Sequence, residues 1–372
     1  MNQPDLIASA MNAAVEGGVF PGAVLLVRLR GQIAYHQAFG NAALMPAKEP
    51  ARPETIYDLA SLTKPLATAT AVLCLVQDGR LSVDDSLQQH VGELKGSIIG
   101  DATVYHLLTH SAGLPAWRPL YERIAEEDCR APGLLGSPAA EQMVLALIKQ
   151  ESLATPPGAR SLYSDLGFIL LGILVERVSG STLAAYCQRS VFEPMRAPLF
   201  FLGPRSAGSR DITLVAPTEH DPWRGRLLRG EVHDENAYAL GGVAGHAGLF
   251  GTAAAVSAVV GHWLDSHAGR SWVLSPDLVR RFTARQDGIA GSSWALGWDT
   301  PSAPSSSGSR FSAASFGHLG YTGTSIWVDP TRELEVVLLS NRVHPTRRNE
   351  AIKQFRPLIH DVIYAELVAS SR

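Results

Sequence analysis

Ser61 and Lys64 lie three positions apart in the stretch YDLASLTKPLAT, residues 57–68, just before a run of apolar residues with helical spacing. That spacing, and the glycine-containing segment 78–80 after it, predict one helix over about residues 61–78. Because side chains three residues apart on a helix lie about 5 to 6 Å apart at Cβ, the Lys64 amine can reach the Ser61 hydroxyl. Burial and the helix dipole both disfavour the ammonium form, so we expect a lowered lysine pKa and an activated serine nucleophile.

Two structural interpretations compete with this chemical one. Ser61 could be a helix N-cap, although Lys64 would then bring a cation to the first turn at a cost of roughly 0.3 to 1 kcal/mol. The helix could instead begin at Pro65, which lacks an N–H, and leave Ser61 in a loop. A serine and a lysine at this spacing are weak evidence alone, so the chemical interpretation requires partner residues.

The first partners are Tyr163 and Asp165, in the stretch SLYSDLGFILLGILVERVSG. They lie in a predicted loop that leads into a helix with a buried apolar stripe. A tyrosine hydroxyl can transfer protons, and a carboxylate can change the pKa of a nearby amine. Taken separately, Tyr163 could also be a tyrosine at the edge of the core and Asp165 an N-cap.

The second set of partners lies in GHLGYTG, where His318, Gly320 and Tyr321 are at the start of a predicted strand. Glycines allow a substrate backbone to approach closely, and an open strand edge offers N–H groups to an acyl oxygen. The Ser61 N–H, free at a helix start, could contribute to the same oxyanion site. The competing interpretation is a strand start with a solvent-exposed histidine.

Taken in order, these segments resemble the serine β-lactamase and penicillin-binding-protein superfamily, most closely its class C-like branch, which also holds family VIII-type esterases and D-amino-acid peptidases. The resemblance covers about residues 20–345. The matching segments are SLTK at 61–64, LLTHSAGLP from Leu107, YSD at 163–165, GGVAGHAGLFGT from Gly241 and HLG at 318–320.

The resemblance implies that Ser61 is acylated and that Lys64 is its base or proton relay. Tyr163 would move a proton between the nucleophile and the leaving group, and the backbone N–H groups of Ser61 and Tyr321 would form the oxyanion hole. The other positions in substrate-binding or oxyanion segments are Asp165, His318 and Gly320.

The function implied is that of a serine hydrolase that cleaves an ester or amide through an acyl-enzyme, as esterases, β-lactamases and D-peptidases do. Its partner would be a small-molecule ester, amide or β-lactam, with no cofactor and no metal. The alternative is a catalytically silent binding or regulatory protein with the same fold, because fold does not fix function.

Two positions depart from the superfamily pattern. His318 stands where lysine is usual, and a histidine is mostly neutral at pH 7, so we expect weaker recognition of a substrate carboxylate. Asp165 stands where asparagine is usual. If it approaches Lys64, it should raise the lysine pKa and shift the base role toward Tyr163.

Composition excludes some function classes. The 372 residues are 46% hydrophobic and 18% charged, with a formal charge of −3 and no basic stripe, so nucleic acid is an unexpected partner. Three widely spaced cysteines predict free thiols in a reducing compartment. No secretory signal or membrane-spanning run is evident, so we expect a cytoplasmic protein that does not bind membranes. Oligomeric state cannot be read from the sequence.

The pattern of elements predicts an α/β (α+β) fold of the β-lactamase/transpeptidase type. Two strands follow a short N-terminal helix, two more surround a turn at residues 329–333, and a helix closes the chain from about residue 348. The region between them has mainly helical spacing. We therefore expect an antiparallel sheet domain from residues 1–60 and 266–372, a mainly helical domain at 61–265, and an active site at their junction.

Two other sites compete with Ser61. The segment THSAG contains Ser111 and nearly matches a nucleophile elbow, but its first glycine is replaced and no strand-turn-helix context precedes it. His106 and His110 are four residues apart, and two more histidines follow downstream, but the glutamate of a metalloprotease helix is missing. We therefore expect structural histidines there.

Overall fold

An antiparallel sheet made from both ends of the chain forms the centre of the fold. The computed structural model describes residues 5–203, 212–271 and 273–369. The strands, in chain order, are β1 (Gly22–Leu29), β2 (Gln32–Ala43), β3 (Glu49–Pro50), β4 (Tyr57–Asp58), β5 (Phe200–Phe201), β6 (His220–Asp221), β7 (Arg226–Leu227), β8 (Leu249–Gly251), β9 (Phe316–Leu319), β10 (Ser325–Asp329) and β11 (Leu334–Ser340). Six of them form the main sheet, in the order β3-β2-β1-β11-β10-β9.

Helices cover both faces of this sheet and fill the middle of the chain. They are α1 (Leu6–Glu16), α2 (Thr70–Gln77), α3 (Leu87–His90), α4 (Val104–Leu108), α5 (Leu120–Arg130), α6 (Pro138–Lys149), α7 (Asp165–Ser179), α8 (Leu183–Cys187), α9 (Glu235–Ala239), α10 (Ala253–His267), α11 (Pro276–Thr283) and α12 (Ile352–Ile363). Short 3-10 turns at Ala60–Leu62, Gly92–Leu94, Ile98–Asp101 and Ile212–Leu214, and π-helical turns at Lys64–Ala69, Gln188–Phe192 and Tyr364–Ala369, complete the structure.

The alternation of side chains along β1 explains why both faces are covered. Val24 and Leu26 point into the large core shared with the central helices, whereas Leu25 and Val27 point into a second core against α1 and α12. Successive side chains of a strand point to opposite faces, so an unbroken apolar strand needs partners on both sides. The sheet is therefore buried between two helical layers.

The fold class predicted from sequence is confirmed, and so is the first hairpin with its turn at Arg30 and Gly31, both at positive φ. The C-terminal segment differs, because His318 lies on a separate short strand, β9, before the two predicted strands. The closing helix begins at Ile352 rather than near residue 348. The two-domain division remains a prediction, and α10 packs against β1 and β11.

The predicted helix over residues 61–78 is wrong in its first half. A 3-10 turn at Ala60–Leu62 is followed by a π-helical segment at Lys64–Ala69, and α-helix begins only at Thr70. Pro65 has no N–H to donate, and it occupies the first turn of the π-helical segment. The apolar spacing correctly predicted which residues of this region are buried. It did not predict the change from 3-10 turn to π-helix to α-helix.

The state of the cysteines and the lengths of the apolar helices bear on the expectations from composition. Cys74 and Cys187 are buried, Cys129 is exposed, and all three are free thiols. Within the described ranges no single helix is long and apolar enough to cross a bilayer, and the segments Asp165–Ser179 and Leu183–Phe192 reach that length only together, across a 72° bend.

Candidate active site

The Ser61 hydroxyl stands on a tight turn that follows β4. The residue before it, Ala60, has a φ of 48°, which is uncommon for a residue with a side chain and costs of order 1 to 3 kcal/mol. Two contacts hold the turn: the Ala60 N–H donates to Asp58 Oδ1 at 2.8 Å, and the Thr63 hydroxyl donates to the Ala60 carbonyl at 2.6 Å. The backbone around Ser61 is therefore fixed before any substrate binds.

Lys64 is fully buried, and its amine faces three acceptors. The Nζ atom lies 3.0 Å from Ser61 Oγ, 2.6 Å from Asp165 Oδ1 and 3.2 Å from the His246 carbonyl oxygen. Burial lowers the lysine pKa, but the Asp165 carboxylate and the Tyr163 oxygen raise it more, and the net pKa lies above its ordinary value. The expected fall in the lysine pKa is thus wrong, and the Asp165 carboxylate raises this pKa as expected. The shift of the base role toward Tyr163 stays a prediction.

Tyr163 completes a triangle with the serine and the lysine. The Lys64 amine lies 4.9 Å from the centre of its ring, and the interactions of its hydroxyl with Lys64 and with Ser61 both lower its pKa. Burial raises the pKa of Tyr163, Lys64 lowers it and Asp165 raises it again, and the net pKa is above the ordinary value. Tyr163 and Asp165 flank Ser164, the N-cap of α7, so the start of one helix positions both.

His110 is a residue of this site that sequence reasoning treated only as structural. It has a φ of 54°, is 3% exposed, and accepts the Ser164 N–H at Nδ1 over 3.1 Å. Its ring centre lies 4.6 Å from that of Tyr163 and 4.4 Å from that of Trp294. Burial and the nearby Lys64 hold its pKa well below the ordinary value, so a neutral ring supports Tyr163. The sequence feature that could have indicated a role in the site was its position in the LLTHSAGLP segment.

The glycine-rich segment from Gly241 brings a backbone carbonyl to Lys64. Gly245 passes so close to Gly172 of α7 that a Cβ on Gly245 would overlap the Phe168 carbonyl. This approach sets the His246 carbonyl 3.2 Å from the Lys64 amine, and the His246 ring contacts Asp234 at 2.8 Å. The segment was found from the sequence, but its function as a support for the lysine was not.

His318 is buried rather than solvent-exposed, and it is 2% exposed. Its Nδ1 lies 2.8 Å from the Leu319 carbonyl oxygen. A carbonyl can only accept, so Nδ1 carries the proton and Nε2, which has no hydrogen-bond partner, is an acceptor. Burial, then Lys64, lowers the pKa of His318 to about 3. It therefore offers a neutral acceptor where a lysine would offer a charged donor.

The turn between β9 and β10 is tied to the Ser61 turn by two threonines. Thr322 donates to the Asp58 carbonyl at 2.7 Å, and Thr324 donates to the Leu59 carbonyl at 3.0 Å. Gly320 lies so close that a Cβ on it would be 2.7 Å from the Leu59 carbonyl oxygen. The two backbone segments that carry the predicted oxyanion donors are thus held against each other.

These groups line one cleft of about 670 Å³. The sequence-predicted residues Ser61, Tyr163, Asp165, His318, Gly320 and Tyr321 all line it, and Lys64 lies buried behind Ser61. Sequence reasoning missed other residues of its wall, namely Trp294, Asp234, Glu235, Arg342, Arg347 and Arg356. They come from loops and from α9 and α12, and no pattern in the sequence connects them to the nucleophile.

The competing sites are not supported by the geometry. Ser111 is fully buried, and its hydroxyl lies 2.8 Å from that of Thr109. The His106 ring accepts the Thr103 N–H at the start of α4. Across the part of the chain that the structure describes, no group of three or more His, Cys, Asp or Glu side chains could hold a metal ion.

Comparison with known proteins agrees with the geometry. The family model described as Beta-lactamase matches residues 7–359. A curated protein of Escherichia coli (strain K12), named "Putative D-alanyl-D-alanine carboxypeptidase", is 33% identical over 352 residues, which cover 87% of this chain and 79% of that protein. A Salmonella agona (strain SL483) protein of the same name is 28% identical over 360 residues, 90% of this chain and 81% of that protein.

Two solved structures have a similar fold. EstCE1, a hydrolase with promiscuous acyltransferase activity, has a TM-score of 0.75 at 22% identity, over 96% of this chain and 97% of that one. The octameric penicillin-binding protein homologue from Pyrococcus abyssi has a TM-score of 0.72 at 22% identity, over 99% and 78% of the two chains. The chain belongs to the Beta-lactamase family of serine hydrolases, because the family model matches most of its length and the E. coli relative is 33% identical. The similar folds agree with this assignment.

Proposed function

We propose that this protein hydrolyses an ester or amide through a covalent acyl-enzyme on Ser61. The observation that carries the proposal is the 3.0 Å contact between Lys64 Nζ and Ser61 Oγ, with the centre of the Tyr163 ring 4.9 Å from the same amine. A nucleophile beside a base that a third group orients is the arrangement that activates a serine; we propose Tyr163 as the base and the Lys64 ammonium as the group that orients it.

In the acylation step, Ser61 Oγ attacks the substrate carbonyl carbon and forms a tetrahedral intermediate. The fraction of Tyr163 that is ionised beside the Lys64 ammonium takes the serine proton and passes it to the leaving oxygen or nitrogen as the scissile bond breaks. Because the pKa of Tyr163 is raised, this fraction grows as pH rises. Lys64 remains charged, because three acceptors surround its amine and its pKa is raised. Its charge favours the Tyr163 phenolate.

The acyl-enzyme is then hydrolysed by the same groups acting in reverse. A water molecule gives a proton to Tyr163 and attacks the acyl carbon, and the proton returns to Ser61 Oγ as the ester bond breaks. In both steps the carbonyl oxygen becomes negative near the backbone of residues 61 and 321. The N–H groups of Ser61 and Tyr321 are the proposed donors to that oxygen.

The substrate we propose is one that needs no carboxylate beside the scissile bond at the position of His318. That imidazole is neutral, and the cleft-wall arginines nearby are engaged: Arg347 pairs with Glu219 and Glu235, and Arg342 bonds to backbone carbonyls. The name of the E. coli relative makes D-amino-acid peptides the first amides to test, and the EstCE1 description makes short acyl esters the first esters.

The test is a substrate panel on purified protein: p-nitrophenyl esters, D-amino-acid amides, a D-alanyl-D-alanine peptide and β-lactams. The proposal predicts turnover of at least one class that is abolished in Ser61→Ala. Ser111→Ala is the matched control, since it removes a hydroxyl from the buried serine outside the cleft and should retain most of the activity.

A further inference from the structure

Arg356 is a buried cation that lies behind the turn between β9 and β10. It belongs to α12, is 6% exposed, and forms no ion pair within the described residues. Its Nη2 donates to the carbonyl oxygens of Gly320, at 3.0 Å, and Thr324, at 2.7 Å. Burial and the neighbouring Arg342 lower the pKa of Arg356 to about 9. Burying a charge without an ion-pair partner costs free energy, so we looked for a function of Arg356 at this position.

The Gly320 carbonyl belongs to the same peptide unit as the Tyr321 N–H. This peptide bond is trans, because cis bonds occur only before three prolines elsewhere in the described chain. In a planar trans peptide the C=O and N–H bonds point in opposite directions. A guanidinium on the carbonyl therefore fixes the direction of the N–H that is proposed to bind the oxyanion.

The charge of Arg356 also changes the strength of that donor. A cation on the carbonyl oxygen polarises the peptide and makes the N–H at the other end more positive, as happens along chains of hydrogen bonds. The gain grows as the substrate oxygen becomes negative, so it favours the transition state over the bound substrate. A neutral donor at this place could hold the turn but would polarise the peptide less.

We propose that Arg356 is a positioning residue of the oxyanion hole, which orients and polarises the peptide between Gly320 and Tyr321. The proposal rests on the hydrolase function above and adds a cleft-wall residue that acts on the oxyanion through the peptide. It separates Arg356 from Arg342, whose Nε donates at 2.8 Å to the Tyr321 carbonyl and so acts on the next peptide unit.

The experiment compares Arg356→Met, Arg356→Lys and Arg342→Met with the wild type. Arg342 is the matched control, because it is a buried arginine, 5% exposed, whose guanidinium also donates to a carbonyl of this turn. We measure kcat and KM for a p-nitrophenyl ester, the inhibition constant of a boronic acid that mimics the tetrahedral intermediate, and the melting temperature.

The expected result is a kcat lowered roughly 10- to 100-fold in Arg356→Met with KM changed less than about threefold, and boronate binding weakened by a similar factor. Arg356→Lys, which keeps the charge, should recover part of both losses. Arg342→Met should lose less kcat at a comparable fall in melting temperature. If Arg356→Met is insoluble, the kcat and boronate affinity of Arg356→Lys test the inference instead. We then expect both to be lower than in the wild type.

The inference is overturned if the Arg356 variants keep wild-type kcat and boronate affinity, or if Arg342→Met loses as much of both. Labelling of Ser61 by a fluorophosphonate separates this result from failure of the proposed function. If the wild type is labelled and the Arg356 variants react equally fast, only the inference fails. If wild-type Ser61 is not labelled, the proposed function and the inference both fail.

Discussion

Lys64 Nζ lies 2.6 Å from Asp165 Oδ1, and this contact keeps a buried lysine in its charged form. The carboxylate raises the pKa of Lys64, and it also raises that of Tyr163. Asp165 therefore favours the protonated state of both groups that could take the Ser61 proton. We therefore expect it to set the pH at which the proposed catalysis begins.

Asp165→Asn should move the acidic limb of the kcat/KM profile to lower pH by about 1 to 3 units. The neutral amide removes the charge that favours both protonated forms, so whichever group must lose a proton does so at lower pH. The measurement is kcat/KM for an ester from pH 5 to 11. Glu235→Gln is the control, because it also removes a negative charge from the cleft wall but pairs with Arg347 instead. An unmoved limb in Asp165→Asn would mean that the carboxylate does not couple to proton transfer.

His318 predicts a preference for neutral substrates. We expect the wild type to have a higher kcat/KM for a short p-nitrophenyl ester than for nitrocefin, which carries a carboxylate. His318→Lys should reduce that ratio about tenfold by adding a charged donor, whereas His318→Gln, which stays neutral, should leave it nearly unchanged. Efficient turnover of nitrocefin alone by the wild type would rule out the preference.

Gly320→Ala should damage activity and folding together. The added Cβ would meet the Leu59 carbonyl at 2.7 Å and the Thr324 hydroxyl, so the turn must move away from Ser61. We expect kcat/KM to fall at least tenfold and the free energy of unfolding to fall by roughly 1 to 3 kcal/mol. Gly288→Ala is the control, since a Cβ there meets nothing within 4 Å. Equal behaviour of the two variants would show that the close approach is not needed.

Glu335 gives the protein a pH-dependent stability that is independent of catalysis. It is buried in β11, and burial raises its pKa from 4.5 to about 8. The folded state binds the proton more tightly, so stability falls as pH rises from about 4.5 to 8, by about 1.4 kcal/mol per unit at most. Glu335→Gln should flatten this dependence and melt at a higher temperature than the wild type at pH 9. Chemical denaturation at pH 5, 7 and 9 measures it; parallel curves for the two proteins would contradict the assignment.

The residues around the proposed nucleophile were predictable because short sequence segments carry them. Ser61 and Lys64 are three residues apart, and Tyr163 and Asp165 flank a helix N-cap, so local geometry alone brings each pair together. The central hairpin was predictable for the same reason, since its apolar strands meet at one glycine turn.

The supporting residues were not predictable, because only long-range packing connects them. Arg356 lies 36 residues from Gly320 along the chain, and His246 lies 182 residues from Lys64. The expected fall in the lysine pKa is wrong for the same reason: burial could be inferred locally, whereas the Asp165 contact, 101 residues away, could be stated only as a condition. The spacing of apolar residues likewise does not predict the π-helical segment after Ser61.

The most direct test of the account is intact-protein and peptide mass spectrometry after reaction with a fluorophosphonate or a slowly hydrolysed ester. We expect one adduct per chain, on Ser61, which is absent in Ser61→Ala and present in Ser111→Ala. Absence of any adduct on the wild type, or an adduct on another residue, would contradict the nucleophile assignment and favour a binding protein with this fold.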